Sequence, residues 1–389
     1  FLLNNLTLAT NTFWLTGGPV TLIYDNTVAR NTEVYEFPAT AGFVTTLDVR
    51  SNAANPALTL HANRSVGDLI LNTGAAGFNN VRFNLNGLTL SVTNVNSATL
   101  TRGILSSESV AAGLYTYATL AVTGNATSTA NASVQNVHVT AATVNFAGPF
   151  GQTDWEGTGA APNLPASVTG VTTTGTATIA AFNGNLTSPG LVTINGPHTN
   201  GTITASTDVT VGTGGSMAAS SNLTFIGTAN STLTVPAAGA NIGALTLQKT
   251  NNTNTITLAG GNLATNALTT FVNGLFITGN NTLRMFHPLF AAGGQGFNRD
   301  GVTGTNISHV VGNVAKASVN AGGPGLGGSS VPRFEFPVGT MTLYRPAAIT
   351  FNPSFGLPTM PQATVFSVSH VNTNPGGAVE LPIKDGVAP

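Results

Sequence analysis

The chain has 389 residues, 12 Lys and Arg against 13 Asp and Glu, a formal net charge of −1 and no cysteine. This excludes disulfides, thiolate metal sites and a cysteine nucleophile. It also argues against a nucleic-acid partner, because neutralising phosphates takes clustered Lys and Arg. Charged residues are only 6% of the chain, against about 25% in an average globular protein.

The sequence predicts an all-β protein. Thr (61), Gly (46) and Asn (42) dominate; Thr favours strands, and Gly and Asn favour turns that need positive φ. Apolar residues alternate over short runs that end at Gly, Asn or Pro, the mark of half-buried strands. No run approaches the ~18 apolar residues of a spanning helix, so no transmembrane segment is expected. Hydrophobic content of 41% is enough for a packed core.

The chain opens on Phe1-Leu2-Leu3 and Leu6-Thr7-Leu8, apolar and strand-like at a free end. Ends are usually polar and frayed unless tied down. Phe1, Leu2, Leu3, Leu6 and Leu8 are therefore candidates for a strand that pairs with its own sheet or adds to a neighbouring subunit. No signal peptide precedes them, so export implies a processed or partial chain. Strand patterns follow at Leu58-Thr59-Leu60, Leu69-Ile70-Leu71, Val81 to Leu85 and Leu88 to Val92; Leu105 to Leu120 has room for one helical turn. This N-terminal β region runs to residue 156.

Residues 157–290 form a neutral, Thr/Asn/Gly-rich β region. Between Gly157 and Leu283 the only charged residues are Asp208 and Lys249. Apolar-Thr-apolar triplets begin at Leu223, Leu233, Leu245 and Ile256, in steps of 10, 12 and 11. Evenly spaced short strands fit a β-sandwich or a β-solenoid, separately or as several modules. Strand edges are lightly guarded by Lys or Pro here, as expected if neighbours cover them. A C-terminal β module spans 291–389, around a Gly-rich linker at 321–332.

Candidate sites are few. His61, His138, His198, His287, His309 and His370 have no zinc-site spacing, and no Asp-rich calcium loop occurs. No metal or cofactor is expected. Asp154-Trp155-Glu156 is the one tight acidic pair; its carboxylates could flank a sugar, but a polar turn before the neutral region accounts for it as well. Trp14, Trp155, Tyr115 and Tyr117 are as suited to core anchoring as to sugar stacking. Gly322 to Gly328 lacks the Lys of a phosphate loop and reads as linker. Asn-x-Ser/Thr sequons at Asn5, Asn125, Asn131, Asn185, Asn222 and Asn230 follow from so much Asn and Thr. Glu335 and Arg345 are expected to pair structurally.

Residues 222–285 read as successive Leu-Thr-Phe, Leu-Thr-Val, Leu-Thr-Leu, Ile-Thr-Leu and Phe-Ile-Thr-Gly strands. His309 to Lys316, then Phe336-Pro337-Val338-Gly339 and Tyr344-Arg345-Pro346, complete the pattern. Over roughly 220–355 this resembles the repetitive β-rich secreted surface proteins of Bacteroidota-type bacteria. The resemblance implies an exported surface or extracellular protein with structural or adhesive roles, and it supplies no catalytic residues to carry over. Together these readings lead to a non-enzymatic structural subunit of an extracellular filament, sheath or surface layer. It would assemble with itself through strand edges and hydrophobic contacts. The alternative is a cell-surface adhesin fragment that binds polysaccharide.

Overall fold

A computed structural model describes residues 2–3, 19–26, 29–33, 36–51, 57–72, 82–94, 98–107, 118–151, 170–173, 175–285, 297–299, 308–317, 333–350 and 365–369. All regular structure among them is β; no helix occurs. The helical turn expected between Leu105 and Leu120 is bounded by strands Ala98–Ser106 and Ala118–Val122, and its centre lies outside the described residues.

Nearly every strand pairs in parallel with one that follows at a short sequence distance, along three ladders. The first passes through Val20–Asn26, Val44–Ser51, Asp68–Asn72 and onward to Thr255–Ala259. The second includes Ala57–Thr59, Arg82–Asn84 and Ala132–Gln135. The third runs from Arg64–Val66 to Phe297–Arg299. The offset between stacked residues varies from 15 positions (Val171 to Leu186) to 34 (Leu275 to His309). The ladders also link strands on either side of residues 156 and 290: Thr143–Gly151 pairs with Ala177–Asn183, and Leu275–Met285 with His309–Ala317.

The triplet spacing near 11 is half the true repeat. Leu223 stacks on Leu245 in the third ladder, and Leu233 on Leu258 in the first. Successive triplets thus alternate between two faces, and the pairing partner lies two triplets away.

Alternation puts one column of each strand inside. In the third ladder Leu90, Leu120, Val139, Val171, Leu186, Ile203, Leu223 and Leu245 stack in register, all buried. Burying such columns is the main driving force for this fold. Some strands turn a corner and serve two ladders: Pro197–Ala205 pairs through His198 with Met217 and through Ile203 with Leu223. At that corner Gly201 has φ +104°, and a Cβ there would sit 2.1 Å from the Gly184 carbonyl oxygen.

Asn and Thr at the corners tie one turn of chain to the next. The Oδ1 atoms of Asn63, Asn185, Asn222, Asn230 and Asn262 accept the backbone N–H of Thr89, Thr202, Ala244, Thr255 and Thr282, at 2.8 to 3.0 Å. Thr45 and Thr93 donate to the carbonyls of Val20 and Val66. Neutral side chains thereby satisfy backbone groups that the ladders leave open at each corner.

At the C-terminal end the pattern changes hand. Val365–Ser369 runs antiparallel along the second half of His309–Ala317. Arg333–Phe336 and Ala347–Thr350 form a separate antiparallel pair, and Val338 bridges to Val310. Phe336 and Val338 are buried. The Phe-Pro-Val-Gly segment thus lies against the last parallel strand, where Val310 N–H donates to Pro337 O and Gly339 N–H to Val310 O. At the other end Leu2–Leu3 pairs in parallel with Ile23 and Tyr24 of the same chain.

Candidate functional site

The third ladder presents the most regular surface. Thr140, Thr172, Thr187, Thr204, Thr224, Thr246 and Thr270 are consecutive register partners. Each is half-buried or exposed, because its neighbours along the strand fill the interior. Adjacent strands lie about 4.8 Å apart, so this column repeats one hydroxyl and one methyl at a fixed interval. Between strands Thr89–Val92 and Thr269–Asn273 the outward residues of this face carry no charge.

A groove of about 320 Å³ lies on this face, lined by His138, Val171, Thr172, Asn185, Thr187, Thr202 and Thr204. Partial burial lowers the His138 pKa and favours the neutral ring. The Thr172 hydroxyl stands 3.5 Å from His138 Nε2. The lining therefore offers hydroxyls, an amide and a neutral imidazole, all able to donate or accept, with no formal charge.

Two lysines are buried. Lys249 Nζ donates to the Ser206 and Ile226 carbonyls at 2.9 and 2.8 Å and to the Ser231 hydroxyl at 2.7 Å, which uses its three N–H groups. Burial pulls its pKa down to about 8. Lys316 sits 4.6 Å from the Phe297 ring centroid and 5.7 Å from that of Phe336, and donates to the Glu335 carbonyl oxygen. Burial pulls its pKa down to about 7.

A polar cluster fills the interior near the N-terminal end. Arg30 Nη2 holds both oxygens of Glu36 at 2.7 and 2.6 Å. Arg64 Nε donates to Phe37 O at 2.6 Å, and its Nη2 donates to His61 Nε2. That contact leaves the His61 proton on Nδ1, which faces Thr32 Oγ1 at 2.6 Å. Burial raises the Glu36 pKa, opposed by Arg30, and lowers that of His61. No sequence motif marks this cluster; two local groups, Arg30 with Glu36 and His61 with Arg64, are joined across the stack through Thr32 and Phe37 O.

The residues singled out in the sequence fall in different places. His198 is fully buried, stacks on Phe182 with ring centroids 4.9 Å apart, and has Nε2 3.1 Å from Gly184 O. His309 is buried with Nε2 2.7 Å from Thr340 O. His61, His138, His198 and His309 thus occupy four separate surroundings, and among the described residues no group of three or more His, Cys, Asp or Glu could hold a metal. Glu335 accepts the Tyr344 hydroxyl at 2.6 Å, while Arg345 N–H donates to Val338 O at 3.0 Å. Asn185, Asn222 and Asn230 spend Oδ1 on the corner bonds described above. Phe1, Asn5, Leu6, Leu8, Trp14, Tyr115, Tyr117, Asp154, Trp155, Glu156, His287, His370 and Gly322 to Gly328 lie outside the described residues.

No family model, curated protein or solved structure matches this chain. Among the described residues no helix is long and apolar enough to cross a membrane.

Proposed function

We propose that the chain is a β-solenoid serving as a structural subunit of an extracellular or cell-surface bacterial assembly, and that it associates with further copies of itself. One observation carries the fold part of this reading: three parallel ladders in which each strand stacks on the next turn of chain. A β-sandwich is built instead from antiparallel strands, which among the described residues occur only at the C-terminal end. A stack of this kind makes a stiff rod whose length grows with the number of turns. Its charge-poor surface gives little repulsion between copies. The proposed work is mechanical, not catalytic, and the Phe-Pro-Val-Gly and Tyr-Arg-Pro segments act as an end cover for the stack. The test is electron microscopy of the purified chain across a concentration range. Regular filaments or sheets are expected; dispersed single particles at every concentration would remove the assembly reading.

The groove beside His138 favours a second reading, an adhesin that binds a neutral polysaccharide. Its lining hydrogen-bonds without charge, as an uncharged polyol requires. Retention of the chain on an array of neutral glycans, lost on His138→Ala, would support it.

A further inference from the structure

We infer that the threonine column of the third ladder is a docking face for a second copy of this chain, laid face to face across a two-fold axis. The inference rests on the self-association reading above and names the surface responsible. It starts from periodicity. Thr140, Thr172, Thr187, Thr204, Thr224, Thr246 and Thr270 stand in unbroken register. Seven such side chains engage together only with a partner that repeats at the same interval. A second copy of the same face does so by construction, whatever the lengths of the loops behind it.

The chemistry of the face selects the same partner. It has no outward charge over nine strands, from Thr89–Val92 to Thr269–Asn273, so neither a phosphate backbone nor a charged peptide finds a counter-ion there. Its described outward residues include no Phe, Tyr or Trp, the groups on which a sugar ring stacks. Thr supplies a methyl that packs and a hydroxyl that both donates and accepts, so two Thr columns complement each other. Paired sheets of identical, interdigitated side chains use the same physics. The size is also sufficient. Nine strands about 4.8 Å apart and about five residues wide offer about 700 Å² on each copy. The total, about 1,400 Å², falls within the usual range for specific interfaces. The first ladder carries a comparable column, Thr178, Thr193, Thr210 and Thr234, but Asp208 stands exposed beside it. A two-fold contact there would bring two carboxylates into the interface.

Sedimentation velocity of the full chain tests this directly. Wild type should form dimers or larger species with rising concentration. Thr204→Arg should raise the apparent dissociation constant by about tenfold or more, since a two-fold interface meets each substitution twice. Thr224→Glu, with the opposite charge, should do the same, and it guards against a folding defect particular to one variant. Thr193→Arg, on the first ladder, should leave association unchanged. If wild type associates and both third-face variants still associate, the docking face is wrong while assembly stands. Equal weakening by Thr193→Arg also overturns the assignment. A wild type that stays monomeric throughout overturns this inference together with the assembly reading.

Discussion

The ammonium of Lys316 donates to the backbone carbonyl of Glu335, tying the last parallel strand to the antiparallel pair that covers it. Because the site is buried, the folded-state pKa of Lys316 is about 7, against an ordinary value of 10.5. Between these two pH values the unfolded chain holds a proton that the folded chain does not, so stability rises with pH across that window. Below pH about 7 both states are protonated and the burial cost is at its full size. Lys249, at about 8, adds the same trend over a narrower window. Denaturant midpoints measured from pH 6 to 10 should therefore increase, with Lys316 alone contributing up to about 4 kcal/mol in stability between pH 7 and 10. Lys316→Met should flatten most of the rise. A midpoint that falls steadily over this range would contradict the assignment.

The Arg30–Glu36 pair is a partly buried ion pair, with Glu36 buried and both of its oxygens engaged. Removing one partner strands the other charge, which typically costs about 3–5 kcal/mol. Glu36→Gln should lower the melting temperature markedly. Glu36→Gln combined with Arg30→Met should recover part of the loss, because no isolated guanidinium then remains. Differential scanning calorimetry of the three proteins checks both statements, and a double variant no better than the single would show that the pair is not the unit.

Much of the architecture was legible in the sequence, and the reason is periodic. Leu-Thr-Leu alternation fixes which side chains point inward, so the all-β class and the buried columns follow from Leu223, Leu245 and their neighbours. The triplet spacing near 11 is half the distance between stacked residues, because the first and third ladders use the same apolar-Thr-apolar pattern and a one-dimensional pattern cannot tell one face from another. The threonine column was hidden for a related reason. Thr140 and Thr172 are register partners 32 positions apart in the chain, and nothing local to either residue reports that. The Arg30, Glu36, His61 and Arg64 cluster is not legible because its two local groups are about 27 to 29 positions apart and meet only across the stack. Asn and Thr abundance, read first as turn and strand propensity, has a more specific cause in the corner bonds between turns.

That cause yields a contrast between asparagines of the same local sequence type. Asn222 Oδ1 accepts the Ala244 N–H at 2.9 Å, whereas Asn131 is exposed in a turn. Asn222→Ala removes the acceptor of a half-buried backbone donor and should cost about 1–2 kcal/mol. Asn131→Ala should change stability by no more than about 0.5 kcal/mol. Urea denaturation of both variants measures the difference. The same geometry predicts that any glycan attached to this chain is found at Asn131 before Asn185, Asn222 or Asn230, which mass spectrometry of material from a glycosylating host would read out.

Gly201 tests whether the corners depend on backbone geometry as well as on side chains. It has φ +104°, where an L side chain is strained, and it joins the part of Pro197–Ala205 that faces the second ladder to the part that faces the third. A Cβ would meet the Gly184 carbonyl oxygen at 2.1 Å, a backbone atom that cannot rotate away. Gly184 N–H also donates to Asn200 O at 2.9 Å, so moving one turn pulls on the other. Gly201→Ala should therefore destabilise by at least about 2 kcal/mol. Gly42, at φ +78° with nothing within 4 Å of a Cβ, isolates the conformational part. Gly42→Ala should cost about 1 kcal/mol. Equal losses for the two variants would mean that φ alone sets the cost; a clearly larger loss at Gly201 would show that the close approach of successive turns holds the corner in place.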